Sequence, residues 1–250
     1  MNPSVQRGFS LIELMVGMVV STIVLAGAYR LWKTHEEQGH QLTQKINIRN
    51  EMTLSSKRIQ RSVTLAGFGL GGAANLAKDD AVGSDTLVIY TNPAEARSVL
   101  VSDYIHGGTA VVHVAEPSKF SGARYLAIKS PTSGEIRKIV GMNSSIVILE
   151  SPFLFDYPAA TSAVFPATRE RFYSNQEEKA LMREAKDGSI VVAKNVTNFQ
   201  VSFRNKHGES TEIVNEVRTV VFSFTGVFDA REGALNSIVF SSTAIPRNTL

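Results

Sequence analysis

The chain has 250 residues, 43% of them apolar and 20% charged, with a formal net charge of +3. That is the composition of an ordinary folded protein and not of a disordered one, and the charge excess is too small to imply a polyanionic partner by itself. There is no cysteine, which excludes disulfide frameworks, thiolate metal sites and thiol nucleophiles.

The first eight residues, "MNPSVQRG", are short and polar, and Pro3 and Gly8 keep them from extending a helix. An apolar run then extends from Phe9 to Trp32, and before Arg30 its single charge is Glu13. As a helix, Phe9 to Tyr29 spans about 31 Å, the thickness of a bilayer's hydrocarbon core. The run is too long for a secretory signal's apolar region and has no small-x-small cleavage site at its far end. It therefore reads as a single-pass anchor. Arg7 and the α-amino group precede it and Arg30 and Lys33 follow it, so the positive-inside rule does not decide its orientation.

Arg7-Gly8-Phe9-Ser10-Leu11-Ile12-Glu13, followed by an unbroken apolar run, resembles the prepilin-type leader and methylation motif of type IV pilins and type II secretion pseudopilins. The resemblance implies that a prepilin peptidase cuts between Gly8 and Phe9 and that Phe9 becomes an N-methylated terminus. It further implies that Glu13 pairs with the terminal amine of a neighbouring subunit during assembly. A carboxylate at mid-membrane costs about 3 kcal/mol, less near the edge, and Glu13 lies only about 6 Å along the helix from Phe9. Snorkelling or protonation is the alternative to pairing.

Beyond Trp32 the sequence turns polar but has no proline until Pro93. Leu42, Ile46, Met52, Ile59, Val63 and Ala66 share a broad helical face, with Leu54 off it, which is an amphipathic pattern. Joined to the anchor, this predicts one helix from Phe9 to Ala66, about 87 Å long. Gly39 is its weakest point. Many major pilins carry a helix-loosening proline in the membrane half, and this chain has none there. "GFGLGG", Gly67 to Gly72, matches G-x-G-x-x-G literally, but a helix precedes it where the dinucleotide fingerprint needs a strand. A helix C-terminus and turn is expected there.

After Asp85 short β-rich runs alternate with turn residues. Strands are predicted at Thr86–Thr91, Ser98–Asp103, Thr109–Val114, Arg124–Lys129, Ile136–Val140, Ser145–Glu150, Ile190–Lys194, Phe199–Phe203, Val217–Phe228 and Ser237–Ala244. Short connections such as "GMNSS" and "HGG" point to antiparallel pairing. The polar stretch Phe165 to Lys186 reads as a helix or a long loop. The expected fold class is α+β, a long N-terminal helix packed against an antiparallel β-sheet domain. Its parts are a leader (1–8), a transmembrane segment (9–32), an amphipathic segment (33–66) and a periplasmic β-rich domain (67–250).

Four further stretches, "RNEMTLSSKRIQRSVTLAGFG", "GSDTLVIYT", "ALMREAKDGSIVVAKNVTNFQVSF" and "TAIPRN", resemble segments of PilW-type minor pilins and J-type pseudopilins. What this implies is a minor pilin in the initiation or tip complex of a type IV pilus. Its implied partners are the prepilin peptidase, other minor pilins, the major pilin and the inner-membrane assembly platform. It would sit in the inner membrane with its C-terminal domain in the periplasm and then enter the pilus on the cell surface. A J-type pseudopilin of type II secretion is the alternative, and a membrane-anchored periplasmic binding module or enzyme is a third reading.

Other chemistry finds little support. His35, His40, His106, His113 and His207 have no metal-ligand spacing, and there is no H-E-x-x-H, G-x-S-x-G or P-loop. "KDD" and "GSDT" supply too few oxygens for a calcium loop. Lys57, Arg58 and Arg61 read as a solvated helical face, or as a contact for an acidic neighbour or DNA. No aromatic residue is interleaved with them for base stacking, so nucleic acid is disfavoured. No catalytic residue, metal or cofactor is expected.

Overall fold

The computed structural model describes residues 10–70, 76–81, 84–101, 104–213, 216–229 and 235–247. Helix α1, Leu11–Thr64, begins at Ser10, whose carbonyl accepts the Leu14 N–H at 3.2 Å. The Ser10 N–H in turn donates to Glu13 Oε2 at 3.2 Å, so Ser10 and Glu13 form half of a capping box. At the far end the helix tightens: Ala66 N–H reaches the Val63 carbonyl at 3.0 Å, and Gly67 and Gly69 take positive φ of 74° and 70°. A Cβ on Gly69 would overlap the Asn92 carbonyl, so only glycine fits this turn. Thus "GFG" closes a helix, as the sequence predicts, and Gly72 lies outside the described residues.

Helix α1 contributes to two compact units, Met1–Asn47 and Ile48–Leu250. In the first, no described residue is buried. In the second, Ile48, Met52, Ile59 and Val63 are buried. Leu42 and Ile46, expected on the packed face, are exposed, whereas Ile48 is buried and Leu54 is exposed as predicted. The packed face begins later than the periodicity suggests, because the first partners in the β domain lie opposite Ile48 and Met52.

Fourteen strands are described: β1 (Leu76–Ala81), β2 (Ser84–Thr91), β3 (Tyr104–Ile105), β4 (Val111–His113), β5 (Tyr125–Lys129), β6 (Gly134–Met142), β7 (Ile146–Leu149), β8 (Tyr157–Pro158), β9 (Ala163–Asn175), β10 (Ala180–Ala185), β11 (Gly188–Lys194), β12 (Val196–Arg204), β13 (Thr219–Asp229) and β14 (Leu235–Ala244). All described pairings are antiparallel. A nine-stranded sheet runs β1-β2-β9-β5-β6-β7-β4, with β10 and β11 branching from β9, beside a three-stranded sheet β12-β13-β14 and the pair β3-β8.

Three expectations are corrected. Phe165 to Lys186 is no helix or loop: it holds most of β9, the branch point of the large sheet, and β10. Its charges hid the strand, because Arg183 pairs with Glu170 and Glu184 pairs with Arg169 and Arg171 while Val164 and Phe172 on the same strand are fully buried. Residues 98–101 form isolated bridges at Ser98 and Leu100 in place of a strand, and Asp103 lies outside the described residues. "HGG" is not a hairpin turn, since the strands flanking it pair elsewhere, β3 with β8 and β4 with β7. "GMNSS" does join paired strands, β6 and β7.

The main core lies between α1, the β2-β9-β10 part of the large sheet and the inner face of the small one, where Phe199, Val201, Val220, Phe222 and Phe224 meet Ile59 and Val63. Burial of such side chains contributes about 1.5–3 kcal/mol each. The helix approaches β13 closely at Gly226, where a Cβ would overlap Met52 Cε. Polar ties fix the docking. Ser55 Oγ donates to the Val192 carbonyl at 3.0 Å, and Gln60 Nε2 to the Thr243 carbonyl at 3.0 Å. A second core surrounds Phe120, Leu126, Val147, Phe153 and Tyr157.

Candidate functional site

Glu13 stands in the first turn of α1, exposed, on a segment whose apolar side chains are also exposed: Leu11, Ile12, Leu14, Met15, Val16 and onward to Trp32. Among the described residues its carboxylate has one donor, the Ser10 N–H. Gly17 and Ser21 follow Glu13 at intervals of four residues and share one stripe with it, flanked by Leu14 and Met18. A Cβ added to Gly17 would meet nothing. The helix is long and apolar enough to cross a membrane. What this half of α1 can do chemically is limited to packing apolar surface and offering one carboxylate near its start. Gly8 and Phe9, the implied processing and methylation positions, lie outside the described residues.

The other candidates separate. His35, His40, His106, His113 and His207 are all exposed, and among the described residues no three His, Asp or Glu side chains converge as a metal site. Lys57, Arg58 and Arg61 are exposed on α1. Asp85 of "GSDT" is engaged structurally, its Oδ2 accepting the Val201 N–H at 2.6 Å and tying β2 to β12. The side chains of Asp79 and Asp80 lie outside the described ones.

Sequence reasoning overlooked two polar constellations. In the first, Glu135 on β6 is 5% exposed, yet fully engaged. It pairs with Arg137 and accepts the Leu154 N–H at 3.0 Å, the Phe155 N–H at 2.9 Å and the Tyr157 hydroxyl at 3.1 Å. Burial, opposed by a hydrogen bond to Ser133 and assisted by the Glu135 charge, pushes the Tyr157 hydroxyl far above its ordinary 10.0. This clamp hydrogen-bonds the backbone of a loop that presents Leu154, 74% exposed, and Phe155, 54% exposed, to solvent. The second is the charge cluster where β9 meets β10. Its segment "TRERFYSN" carries no alternating signal, because its two apolar residues, Phe172 and Tyr173, are adjacent and charges occupy both faces before them.

Residues 3–29 match the family model of the prokaryotic N-terminal methylation motif. The chain therefore carries that motif, with Gly8, Phe9 and Glu13 inside it. No curated protein matches the chain. Among solved structures it is similar to a type IV-like pilin of Thermus thermophilus, with 10% identity and a TM-score of 0.40 over 80% of this chain and 96% of that one. Two tailspike proteins are similar over short stretches. That of Pseudomonas phage LKA1 has 16% identity and a TM-score of 0.23 over 28% of this chain and 14% of that one. That of Acinetobacter baumannii phage AP22, solved with a capsular saccharide, has 16% identity and a TM-score of 0.24 over 31% and 14%.

Proposed function

We propose that the chain is a type IV pilin-like filament subunit, a minor pilin of the initiation or tip complex, without catalytic activity. The observation that carries this reading is the first half of α1. It combines the methylation motif over residues 3–29, a wholly exposed apolar surface from Leu11 to Trp32 and a single carboxylate, Glu13, held among the described residues by one bond, from the Ser10 N–H. In lipid the apolar surface anchors the subunit; in a filament it packs against sister helices. Cleavage after Gly8 by a prepilin peptidase frees an amine at Phe9, and N-methylation there preserves its charge. Glu13 of one subunit meets that amine on a neighbour, which sets the axial register and avoids leaving a carboxylate unpaired in a dry bundle. The β domain then faces the periplasm before assembly, and its partners are the major pilin, other minor pilins and the assembly platform.

Mass spectrometry of the protein recovered from its native membrane tests the processing step. A mature chain that begins at N-methyl-Phe9 is the expected result, and any other terminus sinks the reading. Deletion of the gene distinguishes the machine: loss of surface pili is expected, whereas loss of protein secretion with pili intact transfers the same chemistry to a secretion pseudopilus.

A further inference from the structure

The turn at Gly122, which leads into Arg124, and the β10–β11 turn carrying Lys186 close over β9 and form a cleft with Arg124, Tyr125, Thr168, Arg169, Glu184 and Lys186 in its lining. A Cβ on Gly122 would lie 3.4 Å from Lys186 Nζ. The ammonium thus rests over a position with no side chain, and the space stays open. The Arg169 guanidinium sits 5.2 Å from the centroid of the Tyr125 ring, which fixes its plane. One carboxylate serves two cations here: Glu184 Oε1 accepts from Arg169 Nη2 at 2.9 Å and Oε2 from Arg171 Nη1 at 3.2 Å. Arg171 Nε is buried and has no hydrogen-bond partner. Arg124 and Lys186 are exposed, and neither has an ion-pair partner among the described residues.

We propose that this cleft binds a single oxyanion group, a phosphate, sulfate or carboxylate, through Arg124, Arg169 and Lys186. Three cations line the cleft against one carboxylate, which leaves it electropositive, and its concave walls concentrate that potential. Guanidinium planes match the paired oxygens of such groups, and each bond is charge-assisted. Glu184 is the internal counter-charge: it keeps Arg169 and Arg171 aligned while the cleft is empty and stays with Arg171 when an anion takes Arg169. Tyr125 restrains Arg169 in both states. The cluster is not a simple folding device, because Arg124 and Lys186 contribute nothing to the ion pairs of β9 and β10 and yet flank their open side.

Isothermal titration calorimetry on the full chain in detergent micelles tests this, with sodium phosphate, sulfate or glucuronate titrated at constant ionic strength against chloride. The expected result is saturable binding of at least one of these anions at one site per chain. Replacing Arg124→Gln together with Lys186→Gln weakens it about tenfold or more. The same two charges removed on α1, Lys57→Gln with Arg58→Gln, leave the affinity unchanged. Because all four side chains are exposed, both double variants keep the wild-type thermal midpoint. Phosphate and sulfate binding without glucuronate assigns a tetrahedral group, and the reverse assigns a carboxylate. Absence of saturation above chloride, or equal weakening by the α1 variant, overturns the proposal.

Discussion

Leu25 and Ile59 belong to one helix and share one backbone geometry, but Leu25 is 69% exposed and Ile59 is 0% exposed. The difference follows from what each half of α1 can find within its own chain. Around Ile59 the helix has one apolar face, and two sheets supply the surface that covers it. Around Leu25 the helix is apolar on all sides and no described residue covers it. A helix apolar all round is built for a non-aqueous neighbour, whereas a one-faced helix is built for a core. The two halves therefore answer to different solvents, and variants can separate them.

The largest effect is expected in the half with internal partners. Phe222→Ala removes a fully buried ring opposite α1 and costs about 3–5 kcal/mol through lost transfer energy and a cavity. Leu25→Ala in the same detergent solution leaves the β domain's unfolding midpoint unchanged, as read by near-UV circular dichroism. A comparable loss from Leu25→Ala would break the comparison, because that side chain would then have partners within its own chain.

The same contrast separates two glutamates. Among the described residues, Glu135 has four donor groups arranged around it by its own fold, including Arg137 and the Tyr157 hydroxyl, while Glu13 has one. Glu135→Ala leaves the Arg137 charge and two loop amides without their acceptor, a loss of about 3 kcal/mol. Hydrogen exchange at Leu154 and Phe155 accelerates well beyond the change at core strands such as β13. Equal acceleration throughout would mean that the carboxylate stabilises the domain without holding this loop in particular.

The anchor, the helix-ending glycines and most strand positions were legible because each rests on local pattern: an apolar run, a positive-φ turn, alternating β-branched residues. Strand β9 was not legible. Arg169, Glu170 and Arg171 look like a solvated stretch until β10 brings Arg183 and Glu184 alongside, and such cross-strand neutralisation leaves no trace in a single segment. Glu135 was hidden for the same reason, since its donors at Leu154, Phe155 and Tyr157 stand about 20 residues away in sequence. For the proposed site the reverse holds. The motif at Arg7 to Glu13 reads directly from sequence, while the partner proposed for Glu13 is on another molecule and would not appear in one chain. The capping bond from Ser10 to Glu13 was legible in principle as S-x-x-E before an apolar run.

A smaller effect is expected at Tyr157, and it depends on pH. Its folded hydroxyl holds the proton above the ordinary value of 10.0, so the folded state binds more protons than the unfolded one as pH rises through that range. The stabilisation is complete below about pH 10 and declines above it as the unfolded chain ionises. Tyr157→Phe costs about 1 kcal/mol at neutral pH and flattens the alkaline decline measured by chemical denaturation between pH 8 and pH 11. An unchanged alkaline slope would show that another group carries it.

The smallest effect on the subunit's own stability belongs to Glu13, and for that reason it sharpens the comparison most. Within the chain this carboxylate caps one N–H at 3.2 Å, so Glu13→Ala lowers the stability of the first helical turn by about 1 kcal/mol or less and leaves the β domain untouched. Filament entry responds differently if Glu13 meets a neighbour's terminal amine, because that amine is then buried without its counter-charge, at a cost of several kcal/mol. Ser10→Ala supplies the discriminating control. It retains the Glu13 carboxylate and its Ser10 N–H bond but removes the hydroxyl that can cap the first turn, so its effect is confined to fraying measured by hydrogen exchange. Wild-type filament incorporation for Ser10→Ala with loss for Glu13→Ala assigns the carboxylate to the contact between subunits. Equal incorporation of both variants would reduce Glu13 to a cap, and the exposed half of α1 would then assemble by apolar packing alone.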